Sequence, residues 1–309
     1  MGVERGRQHP EINLGRDVRR MCVTIFRGMQ EGRASQTAVM VCMGRAIAHL
    51  ERTVRGFSDP TALALLPEDA RARVERFRTG PPPRTIRERI AHKFLERRSQ
   101  MMAVRTVAID EAVREAAAPQ VVILGAGLDG RAWRMPELRE AVVFEVDHPD
   151  TQRDKVARAA SLVRSAREVR FVPVDFTRDR LDEKIAAAGH DATRPTAWIW
   201  EGVVMYLTRA QVEATLEVVA RRSATGSRLI IAYAAPGLIL PLVRLLVRRI
   251  GEPFRSVYTA PAMKEMLAAR GFRVIRDDDV PALARPLSER AWKATRALKH
   301  IRIVVADRE

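Results

Sequence analysis

Two acids and a glycine pair, set between apolar runs, are the residues of this chain best placed to do chemistry. Residues 121–147 read VVILGAGLDGRAWRMPELREAVVFEVD. The apolar run 121–124 enters the turn Gly125-Ala126-Gly127, and a second run, 141–146, carries Glu145 and ends on Asp147. Glycine lets a backbone approach a ligand that a Cβ would hold off. A carboxylate at the tip of the next strand can accept hydrogen bonds from both hydroxyls of a ribose. The pattern is one for binding a nucleoside.

The same letters satisfy G-x-G-x-x-G through Gly125, Gly127 and Gly130, which raises an NAD(P)-dependent oxidoreductase as the alternative. Two neighbours count against it. Asp129 sets a carboxylate where a pyrophosphate needs bare N–H groups and a helix N-terminus. Pro136 would cost about 3 kcal/mol inside a long phosphate-binding helix starting at Gly127. S-adenosylmethionine has no phosphate and carries an ammonium and a sulfonium, so an acidic glycine loop suits it better.

Elements must hold these residues in place, and the chain has the material for them. Of its 309 residues 47% are hydrophobic, ample for a packed core and far from a disordered composition. The formal charge of +16 points first to nucleic acid or an anionic membrane. Yet only six of the 54 basic residues are lysine, the arginines are scattered, and few aromatics stand beside them to stack on bases, which counts against a nucleic-acid partner. Cys22 and Cys42 suit neither a zinc site nor a disulfide framework, so a reducing cytoplasm is expected. The first residues are too charged for a signal peptide, and no window reaches the ~18 uninterrupted apolar residues of a membrane span.

Residues 1–30 are expected to form a tail and a first helix (16–29), followed by a helical cap over 31–118. Within the cap, 35–54 has apolar residues at helical spacing with Ser35 as N-cap. Pro60 and Pro67 begin short helical pieces, Gly80-Pro81-Pro82-Pro83 is an extended connector, and helices cover 85–98 and 100–117. From residue 119 the pattern changes to alternating strands and helices, the sign of an open, mainly parallel sheet. Strands are predicted near 121–124, 142–146, 170–174, 196–200, 227–234, 272–276 and 301–305, with helices near 151–165, 178–188, 209–223 and 260–270. The fold class is thus α/β: a Rossmann-like, seven-stranded class I methyltransferase sheet, its last strand antiparallel, under an N-terminal helical cap. A lid insertion is expected near 236–258. Its basic, leucine-rich part, PGLILPLVRLLVRRI (236–250), reads as a surface helix, a lid over an apolar substrate, or a membrane-surface contact.

Motifs along the chain now fall into a familiar order: VVILGAGLDGRAWR (121–134), FEVDHPDTQRDK (144–155), FVPVDFT (171–177) and WEGVVMYLTRAQV (200–212). Weaker ones are FSDPTA (57–62), RTVAID (105–110), GEPFRSVYT (251–259) and LAARGFRV (267–274). With them the chain resembles the leucine carboxyl methyltransferase-like family of S-adenosylmethionine-dependent O-methyltransferases. The likeness is to its bacterial branch, which includes polyketide carboxyl methyltransferases of the tetracenomycin type. The first 30 or so residues lie outside this likeness, and Gly130 stands where the family usually has Thr, Ala or Ser.

The resemblance implies a set of roles. Gly125, Ala126 and Gly127 border the methionine half of S-adenosylmethionine, with Asp129 and Gly202 also beside the cofactor. Asp147 holds the ribose hydroxyls. Asp175 and Phe176 bracket adenine, and Glu201 meets the cationic end. Arg105, and more weakly Arg45, pair with the methionine carboxylate. Tyr206 and His148 are the candidates for catalysis: both are the nearest bases for a hydroxyl acceptor, Tyr206 can also hydrogen-bond the acceptor, and His148 fits a place beside the cofactor better than that of a base. The implied acceptor is a carboxylate or hydroxyl of a small molecule, with a protein C-terminus, as in the eukaryotic branch, ranked below it. Displacement at a sulfonium needs alignment and exclusion of water, and no metal.

Overall fold

The computed structural model describes residues 35–175, 178–237 and 255–309. The first helix, residues 1–34, Phe176 and most of the 236–258 insertion fall outside them.

Among the described residues four helices precede the first strand: α1 (Gln36–Glu51), α2 (Ala62–Leu65), α3 (Glu68–Thr79) and α4 (Ile86–Ala116). Ser35 caps α1, its side chain accepting from the Ala38 N–H. The piece after Pro67 is longer than expected, 12 residues, with Glu68 and Asp69 in its first turn and Arg76 and Arg78 in its last, both complementing the helix dipole. Residues 80–84 carry no helix or strand, as the prolines require.

The expected break between 98 and 100 is absent: α4 runs unbroken for 31 residues. No glycine or proline interrupts it, and the Ser99 hydroxyl donates back to the Glu96 carbonyl at 2.7 Å instead of diverting the chain. A capping box of Thr85 with Glu88 starts the helix, and Ala117, left-handed at φ 43°, ends it two residues before Pro119.

The sheet has seven strands in the order β3-β2-β1-β4-β5-β7-β6. They are β1 (Gln120–Leu124), β2 (Val142–Asp147), β3 (Glu168–Pro173), β4 (Thr196–Trp200), β5 (Arg228–Ala234), β6 (Phe272–Asp279) and β7 (Ile301–Arg308). The first five are parallel, and β7 inserts antiparallel between β5 and β6. This is the sheet the sequence leads one to expect.

After β1 come α5 (Arg131–Arg134), α6 (Pro149–Ala159), α7 (Leu181–Ala187), α8 (Arg209–Arg221) and α9 (Ala260–Ala268). Proline at its first position starts α6 earlier than expected, and the helix stops at Ala159 instead of near 165.

Alternate strand residues feed two cores. Val121, Ile123, Val143, Ile199 and Ile230 pack with Met43, Ile47, Leu65 and Ile109 of the cap helices. Val122, Leu124, Phe144, Trp198 and Ile231 pack with Leu216 of α8 and Met263 of α9. The cap is therefore welded to one sheet face by shared apolar burial. That contact brings the N-terminal end of α1 to the turn after β1.

Candidate functional site

The strand order reverses between β1 and β4, and in an open parallel sheet ligands bind outside the carboxyl ends of the strands at that point. A cavity of about 430 Å³ lies there, within the ~300–1,000 Å³ usual for small-molecule sites. Its wall takes Ser35, Thr37, Ala38 and Val41 from the start of α1 and Gly125 to Asp129 from the turn after β1. Asp147 comes from the tip of β2, and Glu201, Gly202, Val203, Tyr206 and Leu207 follow β4.

The glycine turn is shaped by neighbours as much as by φ. Gly125 stands at φ +71°, and a Cβ there would meet Val203 Cγ2 at 2.3 Å. Gly127 stands at φ +49°, where a Cβ would meet the Ala38 methyl at 2.9 Å. The departure at Gly130 also has a cause, since a Cβ there would come within 2.0 Å of Thr61 Oγ1, which donates to Asp59 at 2.7 Å. The cap loop occupies the space that a side chain at this position would take.

Asp147 accepts hydrogen bonds from the Gly127 N–H and from the His148 N–H, the latter at 2.6 Å. Burial pushes its carboxyl above the ordinary value despite these donors. It does not cap the next helix: His148 does, its Nδ1 accepting from the Asp150 N–H at 3.3 Å.

Behind the wall lies a buried ionic network that the sequence reading did not anticipate. Arg131, 1% exposed, reaches Asp110 at 2.7 Å, Glu201 at 3.0 Å and Asp129. Arg105 Nε holds the other Glu201 oxygen at 2.7 Å. Arg134 holds Asp110 at 2.6 Å, and Arg45 pairs with Asp59 at 2.9 Å while donating to the Leu128 carbonyl. Burial opposes ionisation of Asp129 and Glu201, but the arginines outweigh it and hold both carboxyls below their usual values.

The network corrects one part of the sequence argument. Asp129 lines the cavity, but its charge is matched by Arg131, so it does not make the loop net acidic. Glu201 is likewise shared between two arginines. Arg105 and Arg45 do line the cavity, but Arg105 engages a protein carboxylate through Nε and Arg45 is tied to Asp59 and Leu128.

Gly125, Ala126, Gly127, Asp147, Gly202 and Tyr206 all come together in the cavity wall. His148 and Asp175 do not line it. The His148 ring faces the start of α6, and the Asp175 carboxylate lies 3.5 Å from Arg178. Phe176 lies outside the described residues. Thr37, Ala38 and Val41 of α1, Gln211 and Arg255 were missed by sequence reasoning. Ser35 was legible only as a cap, and Arg255 only as a member of the GEPFRSVYT motif.

Glu145 faces away from this chemistry. It is 1% exposed and sits 2.6 Å from Lys155 Nζ, which lies 5.1 Å from the centre of the Trp133 ring. Burial outweighs the lysine and pushes the Glu145 carboxyl up to about 7. The folded chain therefore keeps a proton there that the unfolded chain releases near pH 4.5, and stability from this group falls as pH rises through the interval up to about 7. At about pH 8, Glu145→Gln strips a buried ammonium of its counter-charge and should cost about 3–5 kcal/mol by urea denaturation. The double change with Lys155→Met should recover most of it; a single variant as stable as the parent would refute the pairing.

The comparisons with known proteins agree with this geometry. The model of the leucine carboxyl methyltransferase family matches residues 38–220. A protein of Mycolicibacterium gilvum (strain PYR-GCK), provisionally named an S-adenosyl-L-methionine-dependent methyltransferase, is 35% identical over 224 residues, 71% of this chain and 72% of its own. A Streptomyces coelicolor protein with the same provisional name is 36% identical over 223 residues, 66% of this chain and 70% of its own. The fold is shared with a DUF574-family protein of Streptomyces avermitilis, at TM-score 0.55 and 13% identity over 87% of this chain and 97% of that one. It is shared too with a geranyl diphosphate methyltransferase solved with S-adenosylmethionine, at TM-score 0.51 and 13% identity over 74% and 93% of the two chains. The oxidoreductase alternative falls with these matches: the chain belongs to the leucine carboxyl methyltransferase family and is an S-adenosylmethionine-dependent methyltransferase.

Proposed function

We propose that the protein methylates a carboxylate of a small organic acid, a polyketide-type metabolite being the class its resemblance suggests, and that the cavity at the β1–β4 reversal holds the methyl donor. The residues present fit S-adenosylmethionine. Asp147 offers carboxylate oxygens to ribose hydroxyls, and Ala38, Val41, Ile123 and Val203 supply apolar contact. No long helix starts from the loop to meet a phosphate, since α5 has four residues. An added Cβ on Gly202, at φ +75°, would meet nothing within 4 Å, which leaves open space over the turn after β4.

When bound, the donor supplies a methyl group on a sulfonium: the acceptor oxygen forms the C–O bond as the C–S bond breaks and its electron pair returns to sulfur. The protein's work is to align the two partners and exclude water. A carboxylate is already ionised and needs no base, whereas a hydroxyl does. One observation carries the choice. Among the described residues lining the cavity there is no histidine, and each carboxylate is engaged, Asp129 and Glu201 by arginines and Asp147 by loop N–H groups. Tyr206 lines the cavity, and its phenol is a group that can donate a hydrogen bond to an acceptor.

The test is calorimetry with S-adenosylhomocysteine, then transfer of labelled methyl into matched carboxylic acids and phenols. The expected product loses its label as methanol in mild base, as an ester does. A base-stable ether product would overturn the carboxylate reading, and no S-adenosylhomocysteine binding would overturn the donor site.

A further inference from the structure

A second hollow, of about 370 Å³, adjoins the donor cavity. Arg209, Pro236, Arg255, Ser256, Tyr258 and Ala262 are among its lining residues, and Arg255 lines the donor cavity as well. The backbone there is firmly anchored. The Arg255 N–H donates to the Met205 carbonyl at 2.7 Å, the Ser256 hydroxyl to the Val204 carbonyl at 2.9 Å, and the Tyr258 N–H to the Ala234 carbonyl at 2.9 Å. The hollow is thus tied to the turn after β4, which carries Tyr206, and to the end of β5.

Its polar groups are unevenly occupied. Arg209 is held by Glu213 at 2.7 Å. The Arg255 side chain makes no ion pair with any described residue, unlike the arginines of the donor cavity. Tyr258 is 6% exposed, and its hydroxyl lies beside Ser256. A guanidinium fork without an acid matches a carboxylate, and Pro236 and Ala262 give an organic body apolar surface.

We propose that this hollow seats the methyl acceptor, and that Arg255, at its junction with the donor cavity, selects an acid over its neutral analogue. The assignment rests on the reading of the neighbouring cavity as the donor site. One acceptor oxygen held by Arg255 leaves the other free to meet the methyl group. Arg255 is then a specificity residue of the transfer.

The probes are two matched pairs, decanoate with decanamide and naphthoate with naphthamide, titrated into the full chain saturated with S-adenosylhomocysteine. At least one acid should bind about tenfold or more tightly than its amide. Arg255→Gln should abolish that preference, and Arg255→Lys should keep part of it. No acid preferred over its amide, or a preference that survives Arg255→Gln, overturns the proposal. A parent protein that fails to bind S-adenosylhomocysteine sinks the donor site instead, and this assignment with it.

Discussion

Arg131→Met is expected to lower stability by about 3–5 kcal/mol, the usual cost of leaving a buried charge without its partner. The three carboxylates on this guanidinium do not lose equally. Asp110 keeps Arg134 at 2.6 Å, and Glu201 keeps Arg105 at 2.7 Å. Asp129 keeps no direct ion pair among the described residues, so the damage concentrates on it. In the parent its carboxyl is held well below 3.8, with burial opposing and Arg131 the largest favourable influence. A depressed carboxyl contributes stability that is complete above the unfolded value and is lost as pH falls through the folded one. The gap between parent and variant should therefore be widest near neutral pH and narrow in acid, where Asp129 of the variant is protonated. Urea titrations at about pH 7 and about pH 3 test both statements. Arg105→Met, which leaves Glu201 its bond to Arg131, should cost less. A gap below about 1 kcal/mol at neutral pH, or one that widens in acid, would show that the network carries no such load.

This network also marks where sequence reading stops. The parallel strands were legible because both their faces are buried, so β1 and β4 are unbroken runs bounded by glycine, acid or proline. The glycine turn and Asp147 were legible as well, because a turn and a strand tip are local features. Ion pairs are not local. Arg105 and Glu201 lie 96 residues apart, and in so arginine-rich a chain no letter says which guanidinium meets which acid. The break expected in α4 fell at Ser99, a weaker helix former than its neighbours, yet Ser99 and Gln100 are both buried, and Gln100 is bound to Thr53 at 2.7 Å. Tertiary burial overrode propensity there. Asp175 shows the opposite limit: a motif residue at the end of β3 need not enter the cavity that its motif suggests.

Asp147→Ala should weaken binding of S-adenosylhomocysteine by more than tenfold. Two charge-assisted hydrogen bonds to ribose, at about 1.5–3 kcal/mol each, would predict a loss on the order of a hundredfold or more. Alanine also removes the acceptor that ties down the Gly127 N–H, so part of the loss could come from the loop. Asp147→Asn separates the two effects, keeping a carbonyl for the loop while losing the charge, and should fall between parent and alanine. Proton linkage gives a second reading of the same residue. Burial raises the Asp147 carboxyl, and a ligand that requires the ionised form must displace that proton. Affinity in the parent should then decline as pH falls through the raised value, with a proton released on binding, seen by calorimetry in buffers of different ionisation enthalpy. The asparagine variant should show neither the decline nor the proton. Equal pH profiles in the two proteins, or an alanine variant that binds as well as the parent, would remove Asp147 from the ribose and leave the β2 tip a structural clasp for the glycine turn.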